Sequence, residues 1–364
     1  MEILPYAVTD IPALLQNARI LNGLAGEFYC VVKCNAYGHG GTECVEALYK
    51  AGMRRFAVSD MREAVNIKPY APRGEIIILG ATDYEAFRLA EENSLILTLH
   101  SAEQSRRLLE SSCRPELHLK LDTGMHRSGF ECDPKMILDA IGELRYHVSG
   151  VYTHFPRADS PDISETEEQL RLFNTTADAL ERVFGRRLTR HTAASPAFFR
   201  LPAGRRGLCR IGLALYGVLP GTLAADIGLT PVMSFYSAVT SVHTVKKGEY
   251  IGYGTAFRCG SDRIIATVAG GYANGILRCL KNTPCAVING YRVSMAGTPC
   301  MDRCMFDVTP IFENGDKVRV FDRVVFFDSE QSVESFARAL STISYEALTT
   351  VGNLNRRLLI QGTF

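Results

Sequence analysis

No apolar run in this 364-residue chain approaches the ~20 residues that a membrane-crossing helix needs. Charge of one sign is not in excess either. The formal net charge is +1, so neither a nucleic-acid nor an anionic-membrane partner has an electrostatic basis. Eleven cysteines are present, but no pairing pattern is. The closest pairs, Cys30 with Cys34 and Cys300 with Cys304, are not Cys-x-x-Cys. Reduced thiols in a cytoplasmic protein are expected over disulfides or a zinc site. The eight histidines show no ligand spacing, so no metal is expected. Met1-Glu2-Ile3-Leu4-Pro5 lacks the basic start and apolar core of a secretory signal, which agrees with a cytoplasmic expectation. Low-complexity segments and internal repeats are lacking.

What remains is an ordinary globular composition, 46% hydrophobic and 22% charged. The length allows one large barrel with a smaller domain, or two to three ordinary domains. Between residues 28 and 216 short apolar runs alternate with helical-period stretches. The runs are 28–32, 55–58, 76–79, 95–99, 117–121, 148–153, 188–192 and 208–215. Repeated strand-then-helix units imply parallel strands with crossover helices. Eight such units close into a (β/α)8 barrel of the TIM type, an α/β fold whose active site lies at the carboxyl ends of the strands. An open doubly wound sheet is the alternative. The runs end in Lys33, Ser59, Gly80, His100, Asp122, His154, Ser195 and Tyr216, mostly polar or chemically useful residues. Beyond residue 229 β-type runs take over: 235–245, 263–268, 285–288, 291–296, 305–308 and 317–321. Asn289-Gly290 is a strong hairpin signal among them. One helix-like stretch, 332–348, precedes a last run at 357–360. The expected organisation is a barrel domain over residues 1–228 and a mostly β domain over 229–364.

Lys33 ends the first apolar run, where Val31-Val32-Lys33-Cys34-Asn35-Ala36-Tyr37-Gly38-His39-Gly40 opens into a turn. Burial disfavours an ammonium ion and lowers a lysine's pKa. A lysine at such a place is either a nucleophile able to form a Schiff base or a strand-end group reaching for water. Arg127 follows the fifth run and Arg210 lies inside the eighth. Read alone, the first fits a surface loop and the second a buried strand. Tyr253, between Gly252 and Gly254, reads as a turn residue.

Together these stretches resemble the alanine racemase family. The Lys33 stretch is similar to that family's pyridoxal 5'-phosphate (PLP) lysine motif, and the resemblance implies that Lys33 carries the cofactor and Tyr37 donates to its phosphate. Lys120-Leu121-Asp122-Thr123-Gly124-Met125-His126-Arg127 resembles a motif whose arginine faces the cofactor's phenolic oxygen and the substrate carboxylate, with Lys120 as a lysine that can be carbamylated. Tyr152-Thr153-His154-Phe155 implies a histidine packed on the pyridine ring. His191-Thr192-Ala193-Ala194-Ser195 implies a phosphate donor in Ser195, with Ala194 where Asn is usual. Arg210-Ile211-Gly212-Leu213-Ala214-Leu215-Tyr216-Gly217 implies that Arg210 faces the pyridine nitrogen and that the amides of Gly212 and Leu213 hold the phosphate.

In the β domain, Gly252-Tyr253-Gly254 resembles the stretch that carries the second catalytic base, reaching the active site of the other subunit. Racemisation needs two groups on opposite faces of a planar carbanion, and an amine and a phenol can serve if their pKa values approach about pH 7. Cys300-Met301-Asp302 implies a Met301 amide on the substrate carboxylate. Gly271-Tyr272-Ala273-Asn274-Gly275 implies that Tyr272 lines the substrate entry, with Asn274 where Asp is usual. Asn353 falls where the family has a tyrosine near the phosphate. Racemases of vancomycin-resistance clusters, which act on serine, carry Asn there. The resemblance thus implies a PLP-dependent, two-base racemase of alanine supplying D-alanine for peptidoglycan, or a racemase of serine, working as a head-to-tail homodimer. The N-terminus is short and weakly matched, so the family's first strand is expected to be altered. A non-catalytic PLP carrier is disfavoured by the Tyr-bearing β domain, and a barrel-type decarboxylase by Arg210.

Overall fold

The computed structural model describes residues 4–219, 223 and 227–362. The chain divides into two compact units. One comprises Leu14–Ala36 and Gly41–Leu229; the other comprises Met1–Ala13, Tyr37–Gly40 and Thr230–Phe364.

The N-terminal strand is β1 (Tyr6–Asp10). The first-named unit is built on eight further strands, β2 (Phe28–Val31), β3 (Arg55–Val58), β4 (Glu75–Ile78), β5 (Ile96–Leu99), β6 (Glu116–Lys120), β7 (Val148–Tyr152), β8 (Thr189–Ala194) and β9 (Leu208–Ile211). Each pairs in parallel with its neighbours, and β9 returns to β2, closing the barrel. A parallel strand inside a ring of helices is covered on both faces, which explains why these runs are continuously apolar. All four residues of β2 and of β5 are buried. Short polar residues start the helices: Asp60, Asp83, Ser101 and Asp133 each accept the first-turn backbone N–H bonds of the helix that follows. Because all eight strands run one way, the residues that follow them collect on one face, the mouth of the barrel. The (β/α)8 expectation is met, and the open doubly wound sheet is excluded.

The other unit is mostly β. Its remaining strands are β10 (Met233–Val245), β11 (Tyr250–Ile251), β12 (Phe257–Arg258), β13 (Arg263–Ala269), β14 (Pro284–Ile288), β15 (Tyr291–Met295), β16 (Arg303–Asp307), β17 (Arg323–Phe327) and β18 (Arg356–Ile360). The main sheet runs β13-β16-β15-β14-β17-β10-β1-β18, and β13 also pairs with β10. Asn289 and Gly290 join β14 to β15 at φ values of 50° and 82°, the paired positive angles that a tight hairpin turn needs.

Three details depart from the sequence reading. The N-terminal strand β1 does not enter the barrel unit, to which residues 1–228 had been assigned. It is antiparallel to β10 and parallel to β18, so its alternating buried residues Ala7 and Thr9 are satisfied in the β sheet. Residues 317–321 form no strand. The strand of that region is β17, six residues on, because Arg319 and Phe321 are committed to a turn that Asp322 closes through the Arg319 amide. The stretch 332–348 is two helices, Val333–Ala339 and Ser344–Leu354, broken near Ser341, which has a φ of 58°.

A cluster of phenylalanines fills this unit. Phe235, Phe326, Phe327 and Phe336 have ring centroids 5.0–6.4 Å apart and are fully buried. Phe336 ties the Val333–Ala339 helix to the sheet. Phe336→Ala is expected to cost about 3–5 kcal/mol, read as an earlier urea midpoint for the β-unit transition.

Candidate active site

The barrel mouth gathers four cationic side chains, Lys33, Lys120, Arg127 and Arg210. Lys33 stands two residues past the end of β2. Its amine is held below the ordinary lysine value, first by burial and further by the charges of Arg127 and Arg210, while Cys34 and Glu63 act in the opposite direction.

The chain after Lys33 turns in an unusual way. Cys34, Asn35, Ala36 and Tyr37 have φ values of 53°, 58°, 54° and 54°, four left-handed residues in a row with no glycine among them. Each costs roughly 1–2 kcal/mol, so the turn stands only because its surroundings fix it. The Asn35 side chain accepts from the Gly41 amide at 2.7 Å, and the Asn35 amide donates to Glu63 Oε1 at 3.2 Å. The same carboxylate accepts from the Ser59 amide at 2.9 Å and from its hydroxyl at 2.6 Å.

Arg210 is buried in β9. One of its terminal nitrogens donates to the carbonyls of Thr153 at 2.7 Å and Thr192 at 3.2 Å and reaches His154 Nδ1 at 3.3 Å. The other meets the His191 carbonyl and lies 3.0 Å from His191 Nδ1. Arginine only donates, so both imidazoles accept at Nδ1 and carry their hydrogen on Nε2. His191 therefore donates to His118 Nδ1, 2.8 Å away. Tyr152 stacks on His191 with centroids 4.6 Å apart and planes 13° apart. The whole column sits in the barrel core. Burial, then the nearby arginines, pushes His118 down to about 3. His154 also falls to about 3, first through burial and then through Arg210, Arg127, Lys33 and Lys120 in turn. Burial pushes Arg210 down to about 10, still charged at neutral pH.

Lys120 is the last residue of β6. Burial first, and Arg127 next, lower it to about 8, and its amine donates to the Ser128 carbonyl. Asp122 is the nearest carboxylate, and it is already engaged. Its Oδ1 accepts from the amides of Gly124, Met125 and His126 at 2.9–3.0 Å. Burial raises its pKa, but those three bonds outweigh it and the group lies below its ordinary value. Arg127 itself is exposed on this loop. The loop is tied to the next strand end by a hydroxyl pair, Thr123 with Thr153, at 2.8 Å.

At the end of β8, Ser195 Oγ accepts from the amides of Gly212 at 3.2 Å and Ala214 at 3.3 Å. An oxygen that accepts twice directs its own hydrogen outward. Ser195 and Gly212 thus fall together as the sequence implied. The second amide on this oxygen is that of Ala214. Sequence reading missed His118, His191 and Glu63. His191 opens the motif that ends in Ser195 and was legible there; Glu63 carried no motif.

The β unit holds the other candidates. Tyr253 lies in a single turn between β11 and β12, and is 70% exposed. Beneath that ribbon Ile251, Cys259, Ile265 and Ala296 form a core with Val245, Phe257 and Met305 against it, so the phenol projects from a fixed base. Tyr272 and Met301 are neighbours: the Tyr272 amide donates to the Cys300 carbonyl and the Ala273 amide to that of Met301, both at 3.0 Å. A Cβ at Gly271 would meet the Cys300 oxygen at 2.1 Å, which explains the glycine. Met301 is 59% exposed. Asn274 is held on both sides. Its side chain accepts from the Gly271 amide at 3.2 Å and donates to Asn355 at 3.1 Å. Tyr37 is buried with its ring 5.9 Å from that of Tyr345, and Gly38 rests on Gly352, one residue before the exposed Asn353. No cluster of His, Cys, Asp and Glu suited to a metal ion occurs among the described residues.

Two family models match the chain in order: the alanine racemase N-terminal domain over residues 9–220 and the alanine racemase C-terminal domain over residues 232–359. An alanine racemase of Sorangium cellulosum is 32% identical, the match covering 95% of this chain and 96% of that protein. Among solved structures, an alanine racemase of Clostridium difficile 630 superposes with a TM-score of 0.90 at 28% identity, covering 99% of this chain and 96% of that one. The biosynthetic alanine racemase of Pseudomonas aeruginosa gives 0.89 at 31%, covering 99% and 100%. With a lysine at the end of the first barrel strand, an arginine buried in the last, and both family domain models matched in order, this chain belongs to the alanine racemase family of PLP-dependent isomerases.

Proposed function

We propose that this protein interconverts L- and D-alanine with PLP held in the barrel mouth, by a two-base mechanism using Lys33 and Tyr253. The single observation that carries the reading is the charge pattern of the mouth. Lys33, Lys120, Arg127 and Arg210 bear on one another and on His154, while Asp122 spends its charge on backbone amides. Such a site suits an anionic cofactor and a carboxylate substrate.

The residues present fit PLP. Lys33 is a partly desolvated amine, Ser195, its oxygen held by the Gly212 and Ala214 amides, has its hydroxyl hydrogen left for a phosphate, and Arg210 would offer a charged donor to the ring nitrogen. The Gly212 and Leu213 amides keep the phosphate role that the resemblance implies. Tyr37 and Asn353 keep the phosphate-side roles that the resemblance implies. The cofactor's contribution is to make the α-hydrogen of an amino acid acidic.

The protein's own groups do the rest. Arg210 keeps its proton at neutral pH, so a ring nitrogen held against it would stay unprotonated, which would limit electron withdrawal and favour proton exchange over transamination. His154, neutral and fixed with its hydrogen on Nε2, is a donor rather than a competing cation. Arg127 holds the substrate carboxylate, with Lys120 behind it as the carbamylated brace the resemblance implies. Lys33 Nζ takes or returns the α-proton on the face of the D-isomer, and the Tyr253 phenol does so on the face of the L-isomer. Exposure of Tyr253 and Met301 in the single chain supports their service in the partner subunit of a head-to-tail homodimer, Met301 through its amide on the carboxylate and Tyr272 at the entry. Supply of D-alanine for peptidoglycan is the role this activity fits.

Tyr253→Phe is expected to lower racemisation by ~10²-fold or more in both directions, measured by chiral chromatography of product; near-normal turnover would remove Tyr253 from the mechanism. The substrate assignment follows the relatives' names over the Asn353 clue. Alanine is expected to racemise faster than serine at equal concentration, and the reverse order would make this a serine racemase.

A further inference from the structure

The left-handed turn after Lys33 has an anionic contact that comes from another strand's loop. Glu63 is the third residue of the Met61–Ile67 helix, whose N-cap Asp60 accepts from the Glu63 amide at 2.9 Å. That capping bond fixes the backbone of Glu63, and the side chain reaches back along the helix. Its two oxygens divide. Oε2 takes the Ser59 amide and hydroxyl at the end of β3, and Oε1 takes the Asn35 amide inside the turn. Four left-handed non-glycine residues need outside support. Within the turn the Ala36 amide donates to the Val32 carbonyl at 2.8 Å, and the carboxylate takes the Asn35 amide and ties it to a strand end that is itself locked in the barrel, where Val58 pairs with Ile78.

We propose that Glu63 is the positioning residue of the Lys33 turn: its carboxylate clamps the end of β3 to the Asn35 amide and so fixes where the Lys33 amine stands. The assignment of Lys33 as the cofactor-bearing amine rests on the function proposed above; the clamp itself does not. Glu63 touches neither substrate nor cofactor and acts through Lys33 and its neighbours.

The clamp also carries charge. Lys33 is faced by Cys34 on its own turn, Glu63 from the β3 side, Arg127 from the loop after β6, His154 after β7 and Arg210 from β9. Burial dominates and lowers the Lys33 value; Glu63 opposes that by favouring the ammonium form. Removing the charge therefore frees the neutral amine at lower pH. Cys34, exposed and next to Lys33, provides an independent gauge. Its thiol is held above the ordinary value first by burial, then by Glu63 and Asp60, against Lys33. Without the Glu63 charge, the thiolate forms at lower pH.

The test uses the full chain freed of bound cofactor, as wild type, Glu63→Gln and Ser59→Ala. In the first arm, iodoacetamide alkylates Cys34 across a pH series, thiolate displacing iodide, and peptide mass spectrometry reads Cys34 alone. In the second, PLP is added, its aldehyde condenses with the Lys33 amine with loss of water, and borohydride reduces the product to a secondary amine that mass spectrometry locates.

Glu63→Gln is expected to shift the Cys34 profile and the rising limb of PLP capture to lower pH. It should also lower the plateau rate of capture about tenfold, the loss of one charge-assisted bond. Ser59→Ala keeps the charge and loosens the clamp. It should lower the plateau and leave both pH profiles in place, a split that general destabilisation would not give. Wild-type pH profiles and capture rates in Glu63→Gln would overturn the proposal, as would equal effects of the two variants on plateau and profile. Should PLP fail to mark Lys33 in the wild type, the functional reading falls, while the Cys34 arm still decides whether Glu63 acts on the turn. If Glu63→Gln does not fold, the Ser59→Ala plateau decides: a wild-type capture rate there overturns the clamp.

Discussion

Uncompensated positive charge at the barrel mouth is the constraint on which the rest of this molecule turns. Bringing Lys33, Lys120, Arg127 and Arg210 together costs desolvation and mutual repulsion. The carboxylates beside them are already engaged: Asp122 accepts from three backbone amides, and Glu63 from Ser59 and the Asn35 amide. A protein bears such an arrangement for an anionic guest. The lowered values of Lys33 and Lys120, and of the histidines between the arginines, are the record of that cost.

The fold delivers the charge without further devices. Eight parallel strands place their carboxyl ends on one face, so a lysine after β2, a loop after β6, a histidine after β7, a serine after β8 and an arginine within β9 share one mouth although some 180 residues separate the first from the last. Below them the Arg210–His191–His118 column, stacked by Tyr152, leaves each imidazole a single tautomer. Arg210 is held by backbone carbonyls rather than by a carboxylate. It therefore brings a full positive charge to the core with its donor directions already set.

Much of this was legible before any coordinates. The barrel could be read because buried parallel strands need no polar face and so appear as uninterrupted apolar runs. Lys33, His154, Ser195 and Arg210 close or interrupt such runs, but read alone each also fits a structural role; they were legible through the motifs that resemble the family's. The Asn289-Gly290 hairpin was equally plain, since few residue pairs tolerate two positive φ angles. Long-range commitments were not legible. Strand β1 looks like any short amphipathic strand, and only its pairing with β10 and β18 assigns it to the sheet. Residues 317–321 carry the valines of a strand, yet the Asp322 turn claims them. Glu63 reads as an ordinary first-turn helix carboxylate; its hold on Asn35 spans 28 residues. Asn274, which looked like a site substitution, is spent on Asn355.

The most direct measurement is a titration of the cofactor-free chain with PLP, following thermal unfolding of the barrel unit. If the mouth is built for that anion, binding saturates at one equivalent per chain and raises the unfolding midpoint by several degrees, and the rise is lost when Lys33 and Arg210 are both replaced by neutral residues. An unchanged midpoint at saturating PLP, or an equal rise in the doubly substituted chain, would contradict the assignment of this site.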